Sequence, residues 1–347
     1  MRGRTAPPQL RLRASYPQAE RPRRRETVRA DILSGMDATA ELILVRDALS
    51  NGTTPQQIHR LERAGELVRI RPGAYLPTQV WASLRPEARL RVRVIAAHHC
   101  LPGMPIFSHE SAAVLQGIPL VGALPERAHV LVGASAPRST PTLLRTSRRL
   151  SAADVASTDG ILATSPLVTG LDLAATRTRL GGAMALSDIQ HRLGVGLEEL
   201  EARVEAARPF RGVRRIDEAL RLSSPQCESP LESLVFVRCD ELGFPRPEQQ
   251  RRVDTAIGHF FVDFSWDDGQ IVLEADGFGK YLDPALLGDR ATAERVMAEK
   301  AREDAIRAVV RAFGRTTWRD AYAGAPLGRE LERLGVPRIR RPIVISR

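Results

Sequence analysis

The stretch His259–Lys280, H-F-F-V-D-F-S-W-D-D-G-Q-I-V-L-E-A-D-G-F-G-K, decides how the last third of this 347-residue chain folds. Asp268-Gly269 is a strong hairpin signal, because a type I′ turn needs positive φ at both central positions. Folding back about that turn sets the register. Asp267 faces Gln270, Trp266 faces Ile271, Ser265 faces Val272, Phe264 faces Leu273, and Asp263 faces Glu274. Strand side chains alternate with period two. Val262, Phe264, Trp266, Ile271 and Leu273 therefore form one apolar face, directed at a core. Asp263, Ser265, Glu274 and Asp276 form the other.

Like charges placed directly across two strands destabilise a sheet, so Asp263 opposite Glu274 needs a reason. Two readings compete. Either the face is solvated and both carboxylates are hydrated, or a divalent cation lies between them. Mg²⁺, or Mn²⁺ in its place, takes one or two carboxylates with water and phosphate completing the shell.

The flanking sequence supplies the rest of a unit over 224–336. Ser229-Pro230-Leu231-Glu232 reads as a capping box with proline at the first helical position, and the helix stops at Gly243. Strands are expected at about 250–256, 258–266 and 270–276, a long helix at about 286–312, and a last strand at Arg315–Trp318. That α-β-β-β-α-β order, with an acid on each of two adjacent strands, resembles the PD-(D/E)xK nuclease superfamily. More narrowly, V-D-F followed by L-E-A-D-G and then K-Y is similar to the very-short-patch-repair-type domain often attached to AbiEi-like antitoxins. The resemblance implies a restriction-endonuclease-like core in which Asp263 and Glu274 hold Mg²⁺ and act catalytically. It also implies a supporting acid at Glu232 and a stabilising cation at Lys280. For Glu232 the structural role, a helix cap, competes for the same side chain. The chain departs from the pattern twice: Val262 stands where proline is common, and Asp276 stands where the superfamily has its lysine. A metal-dependent endodeoxyribonuclease and a degenerate, non-catalytic domain both remain open.

The +10 net charge is unevenly placed. Residues 1–35 carry +6, residues 337–347 carry +4, and 225–336 carry −5, which leaves +5 for 36–224. An electrostatic footprint on DNA belongs to the first half and the tails. Residues 1–35 are rich in Arg and Pro without apolar periodicity, which reads as a disordered basic leader; Met36 is an equally good start. No run of about 18 apolar residues suggests a membrane span, and the leader lacks an apolar core, so a cytoplasmic location is expected. Cys100, Cys227 and Cys239 show no C-x-x-C spacing and read as reduced thiols.

Residues 37–77 read as helix, turn, helix and basic ribbon. The first helix is expected over 39–50 with Leu42, Val45 and Leu49 on one stripe. Thr54 caps the second, Pro55 opens it, and Ile58 and Leu61 point inward. Leu67–Leu76 follows as strand, Pro-Gly turn and strand. The segment T-P-Q-Q-I-H-R-L-E-R-A-G-E-L-V-R-I-R-P-G-A-Y is similar to the N-terminal winged helix-turn-helix of AbiEi-type antitoxins. In such a domain the second helix enters the major groove. Its outward residues here are Gln56, Gln57, His59, Arg60 and Arg63, with Arg69 and Arg71 on the wing placed for phosphate.

Residues 85–222 read as a mixed α/β region, and S-H-E-S-A-A and T-S-P-L-V-T-G-L-D-L-A again resemble the AbiEi-like family. His98-His99-Cys100 lacks metal-ligand spacing. Ser108-His109 with Asp154 or Asp159 lacks a nucleophile elbow, and Ser108 reads as a helix cap. The chain as a whole is expected to be an α+β multidomain DNA-binding protein. Its expected partners are double-stranded DNA and, through the family resemblance, a cognate toxin.

Overall fold

In the computed structural model, which describes residues 40–132, 139–208, 211–276 and 289–342, the chain builds three sheets, each with its own helices. The first comprises β1 (Ile43–Leu44), α1 (Val45–Ser50), α2 (Pro55–Arg63), β2 (Leu67–Arg71) and β3 (Ala74–Pro77), in strand order β1-β3-β2. Thr54 closes a full capping box with Gln57 at the start of α2. Ile58, Leu67 and Tyr75 form the small core beneath it. The expected first helix is only half present. Ile43 and Leu44 pair with Tyr75 and Ala74 as a strand, and the helix starts at Val45. Leu49, placed on the apolar stripe by periodicity, is exposed.

α3 (Thr78–Ser83) and α4 (Pro86–Cys100) join this sheet to the second unit. One side of α4 meets Ile70, Ala74 and Leu76 through Val92 and Ala96. The other meets Phe107, Ala112 and Val130 through Leu90, Val94 and Ala97.

The second unit contains β4 (Ile106–Phe107), α5 (His109–Gln116), β5 (Ala128–Leu131), β6 (Leu143–Thr146), β7 (Val155–Thr158) and β8 (Ile161–Thr164). The sheet order is β6-β5-β4-β8-β7, parallel at β5/β6 and β4/β8. Four helices follow: α6 (Pro166–Thr176), α7 (Arg179–Leu193), α8 (Leu197–Ala207) and α9 (Val213–Leu222). α6 and α7 approach closely at Gly182, where a Cβ would lie 2.9 Å from the Cα of Ala174.

The third unit runs α10 (Pro230–Leu242), β9 (Glu248–Thr255), β10 (Gly258–Trp266), β11 (Ile271–Ala275), α11 (Asp289–Arg307), β12 (Ala312–Thr316), α12 (Trp318–Ala323) and α13 (Ala325–Leu334). Its sheet is ordered β12-β11-β10-β9, with only β11/β12 parallel. Phe264, Trp266, Ile271 and Leu273 pack on residues of α10, α12 and α13. Ile306 of α11 covers the opposite face with Val272 and Phe313. The sheet is thus buried on both sides. α10 also shares its core with Leu180, Ala183 and Met184 of α7. The backbone after Val336 turns back onto α10, with the Ile339 N–H donating to the Gly243 carbonyl at 2.9 Å.

The hairpin register matches the expected one at Phe264/Leu273, Ser265/Val272 and Trp266/Ile271. Asp268 and Gly269 take φ of 53° and 84°, and the Gln270 N–H closes the turn on the Asp267 carbonyl at 3.0 Å. Val262 departs from its expected face and joins Val253, Val272 and Ile306 under α11. Next to Val262 the β9/β10 register skips the pair at Asp263, and Gln250 of β9 adopts φ of 50° there. The long helix ends at Arg307 because the Gln270 carbonyl takes the Arg311 and Ala312 N–H groups and starts β12 there. Trp318 opens a helix capped by Thr317 rather than ending the strand.

Candidate functional site

Asp263 and Glu274 lie on adjacent strands under α11, each only 4% exposed. At that burial the hydrated reading of the pair fails. Ionised carboxylates taken out of water need charge or hydrogen-bond compensation. Part of it comes from the backbone: the Ala275 N–H donates to Asp263 Oδ2 at 2.8 Å. A further part comes from Arg302, which reaches down from α11 and donates through Nη2 to Glu274 Oε1 at 2.9 Å.

The same Nη2 donates to the Phe261 carbonyl at 3.1 Å, and Nη1 donates to Glu299 Oε1 at 3.3 Å. The guanidinium also lies over the Phe260 ring, 5.8 Å from its centroid. Burial alone would lower the pKa of Arg302. Glu274, followed by Glu299 and Asp263, outweighs that and leaves it raised. Arg315 carries the network outward, bonding Asp276 at 3.3 Å, Glu299 at 3.2 Å and Glu303 at 2.7 Å. Asp276, where the superfamily pattern has lysine, is therefore a partner of Arg315. The fully buried Ser265 Oγ has no hydrogen-bond partner among the described residues.

Glu232 is buried at the start of α10, where its own N–H donates to the Ser229 hydroxyl at 3.2 Å. The Ser229 hydroxyl donates to its Oε1 at 2.7 Å, and the Glu228 N–H donates to its Oε2 at 2.8 Å. The Gln250 side-chain amide on β9 donates to the same Oε2 at 3.5 Å. Lys280 lies outside the described residues. Among the described residues no group of three or more His, Cys, Asp or Glu side chains is arranged to hold a metal ion. With the Arg302 guanidinium on Glu274, the two carboxylates as placed do not fit a Mg²⁺ ion.

Arg302 is not among the site residues expected from the sequence. A usable signal existed. Arg302 sits three residues after Glu299 and four before the buried Ile306, a spacing that places all three on one side of a helix.

In the first unit, Gln56, Gln57, His59, Arg60 and Arg63 are all exposed on α2, as is Arg69 on β2. Gln57 spends its side-chain oxygen on the capping box, accepting from the Thr54 N–H at 2.7 Å, which leaves its NH₂ group. His59 faces Glu62 at 3.3 Å, and Arg63 Nε bonds the His59 carbonyl. Arg71 is a correction. It is 8% exposed, because a register shift between Arg69 and Arg71 turns it inward beneath the sheet. There burial lowers its pKa, opposed by nearby Cys100, and it is not placed for phosphate.

The middle unit holds a polar cluster. Ser108 Oγ lies 3.0 Å from His109 Nδ1, with the His129 ring stacked on His109 at 4.0 Å. Ser108 caps no backbone N–H through its side chain, contrary to expectation. The two acids weighed as triad members lie elsewhere: Asp154 pairs with Arg203, and Asp159 with Arg91. Asp172 does approach His109, at 3.8 Å, but it is clamped by Arg148 at 2.5 and 3.0 Å.

Residues 107–222, about a third of the chain, match the family model of the AbiEi antitoxin C-terminal domain. The match begins in β4 and ends with α9, so it spans the second unit. A search of curated proteins finds no match to the chain. Among the described residues no helix is long and apolar enough to cross a membrane.

Proposed function

We propose that the chain is a duplex-DNA-binding regulator of the AbiEi-antitoxin type, with a cognate toxin as its second partner. In this reading the first unit is a winged helix-turn-helix whose α2 enters the major groove. The third unit has the αβββαβ order of a restriction-endonuclease-like core. The observation that carries the reading is the outer face of α2. It presents Gln56, His59, Arg60 and Arg63 to solvent, and Arg69 is exposed on the ribbon beyond it.

The chemistry suits a groove. Arginine pairs bidentately with guanine and glutamine with adenine, while ribbon arginines bind phosphate. The resemblance of 107–222 to an antitoxin domain supports the toxin–antitoxin setting. A second reading, metal-dependent DNA cleavage at Asp263 and Glu274 with Glu232 and Lys280 assisting, is favoured by the retained adjacency of the two acids. The Arg302 contact with Glu274 weighs against it.

The test is a titration of full-length protein against duplex DNA that includes its own upstream region. Tight binding whose logarithm falls linearly with log salt, and intact DNA after incubation with Mg²⁺ or Mn²⁺, are expected. Binding that ignores salt, or cleavage lost in Asp263→Ala, would overturn the reading.

A further inference from the structure

We propose that Arg302 is a resident cation of the Asp263–Glu274 pair, standing where a nuclease of this architecture would hold its divalent metal. The third unit is then assembled around a charge carried by its own chain. The inference rests on the non-cutting part of the reading above and is independent of DNA binding by the first unit.

Three observations carry it. The pair is desolvated, so its mutual repulsion must be met inside the protein. Arg302 is anchored to three elements at once: the β10 backbone at Phe261, the β11 carboxylate of Glu274, and Glu299 on its own helix. Finally, Glu299 is itself held by Arg315, which also engages Asp276 and Glu303, so the helix cannot release Arg302 without disturbing a second set of ion pairs. A planar guanidinium suits this geometry because its fixed fork can serve several acceptors together and is weakly hydrated. A divalent ion would compete for the same Glu274 oxygen and would meet a like charge within a few ångströms. Guanidinium and metal therefore exclude one another.

Thermal unfolding of the full-length protein, with and without Mn²⁺, reads this directly. The wild-type midpoint is expected to be unmoved when EDTA is replaced by excess Mn²⁺. Arg302→Met should lower the midpoint by several degrees, and Mn²⁺ should restore much of the loss. That restoration should vanish when Asp263→Asn is added. Because Arg302→Met alone can fail to fold, two further variants are included. Glu274→Gln with Arg302→Met removes both charges and should recover the midpoint. Arg302→Lys should fold and show no response to Mn²⁺. A wild-type midpoint that rises with Mn²⁺ and loses that rise in Asp263→Asn would overturn the proposal. So would a folded Arg302→Met protein that ignores Mn²⁺.

Discussion

The first and third units handle charge in opposite ways. On α2 and the ribbon, Arg60, Arg63 and Arg69 stand in solvent. Under α11, Asp263 and Glu274 are buried and already engaged by Arg302 and the Ala275 N–H. Solvated charge keeps its capacity to bind an outside partner, whereas desolvated charge must be satisfied before the fold closes. One set of residues is therefore available for recognition, and the other belongs to the framework.

The contrast can be broken most forcefully at Glu274. Glu274→Ala leaves the Arg302 guanidinium short of its main partner in a largely buried place, and should cost on the order of 3 kcal/mol of stability. Chemical denaturation would read this as a lower midpoint with an unchanged slope. An effect below about 0.5 kcal/mol would place the pair among surface ion pairs. A smaller effect is expected in the first unit. Thr54→Ala removes the cap of α2 and its reciprocal bond with Gln57, at about 1 kcal/mol. It should also weaken DNA binding modestly, since the helix start that carries Gln56 frays. A protein whose stability falls with DNA affinity untouched would separate α2 from recognition.

Much of this was legible in the sequence where the determinants are local. Asp268-Gly269 and the alternation around it set the β10/β11 register without knowledge of anything distant. Thr54-Pro55 and Ser229-Pro230 marked two helix starts for the same reason. What escaped notice depended on remote partners. Ile43–Leu44 becomes a strand only because Ala74 and Tyr75 offer it an edge. Arg71 turns inward through a bulge that no residue pattern announces. Arg302 lies 28 positions beyond Glu274, and a helix pattern alone does not say which sheet residue its charged side will meet. The need for a cation at Asp263–Glu274 was visible, but its identity was not. Two acids in register look the same whether metal or arginine balances them.

The most direct measurement is a side-by-side titration of duplex DNA with three full-length proteins: wild type, Arg60→Ala/Arg63→Ala, and Asp263→Asn/Glu274→Gln. The account predicts that the arginine variant loses affinity, by about 1–3 kcal/mol for each guanine contact removed, and discriminates less between DNA sequences. The acid-pair variant, judged on its folded fraction, should bind as wild type does. Equal binding by the arginine variant, with loss confined to the acid-pair variant, would contradict the account by placing the DNA site on the third unit.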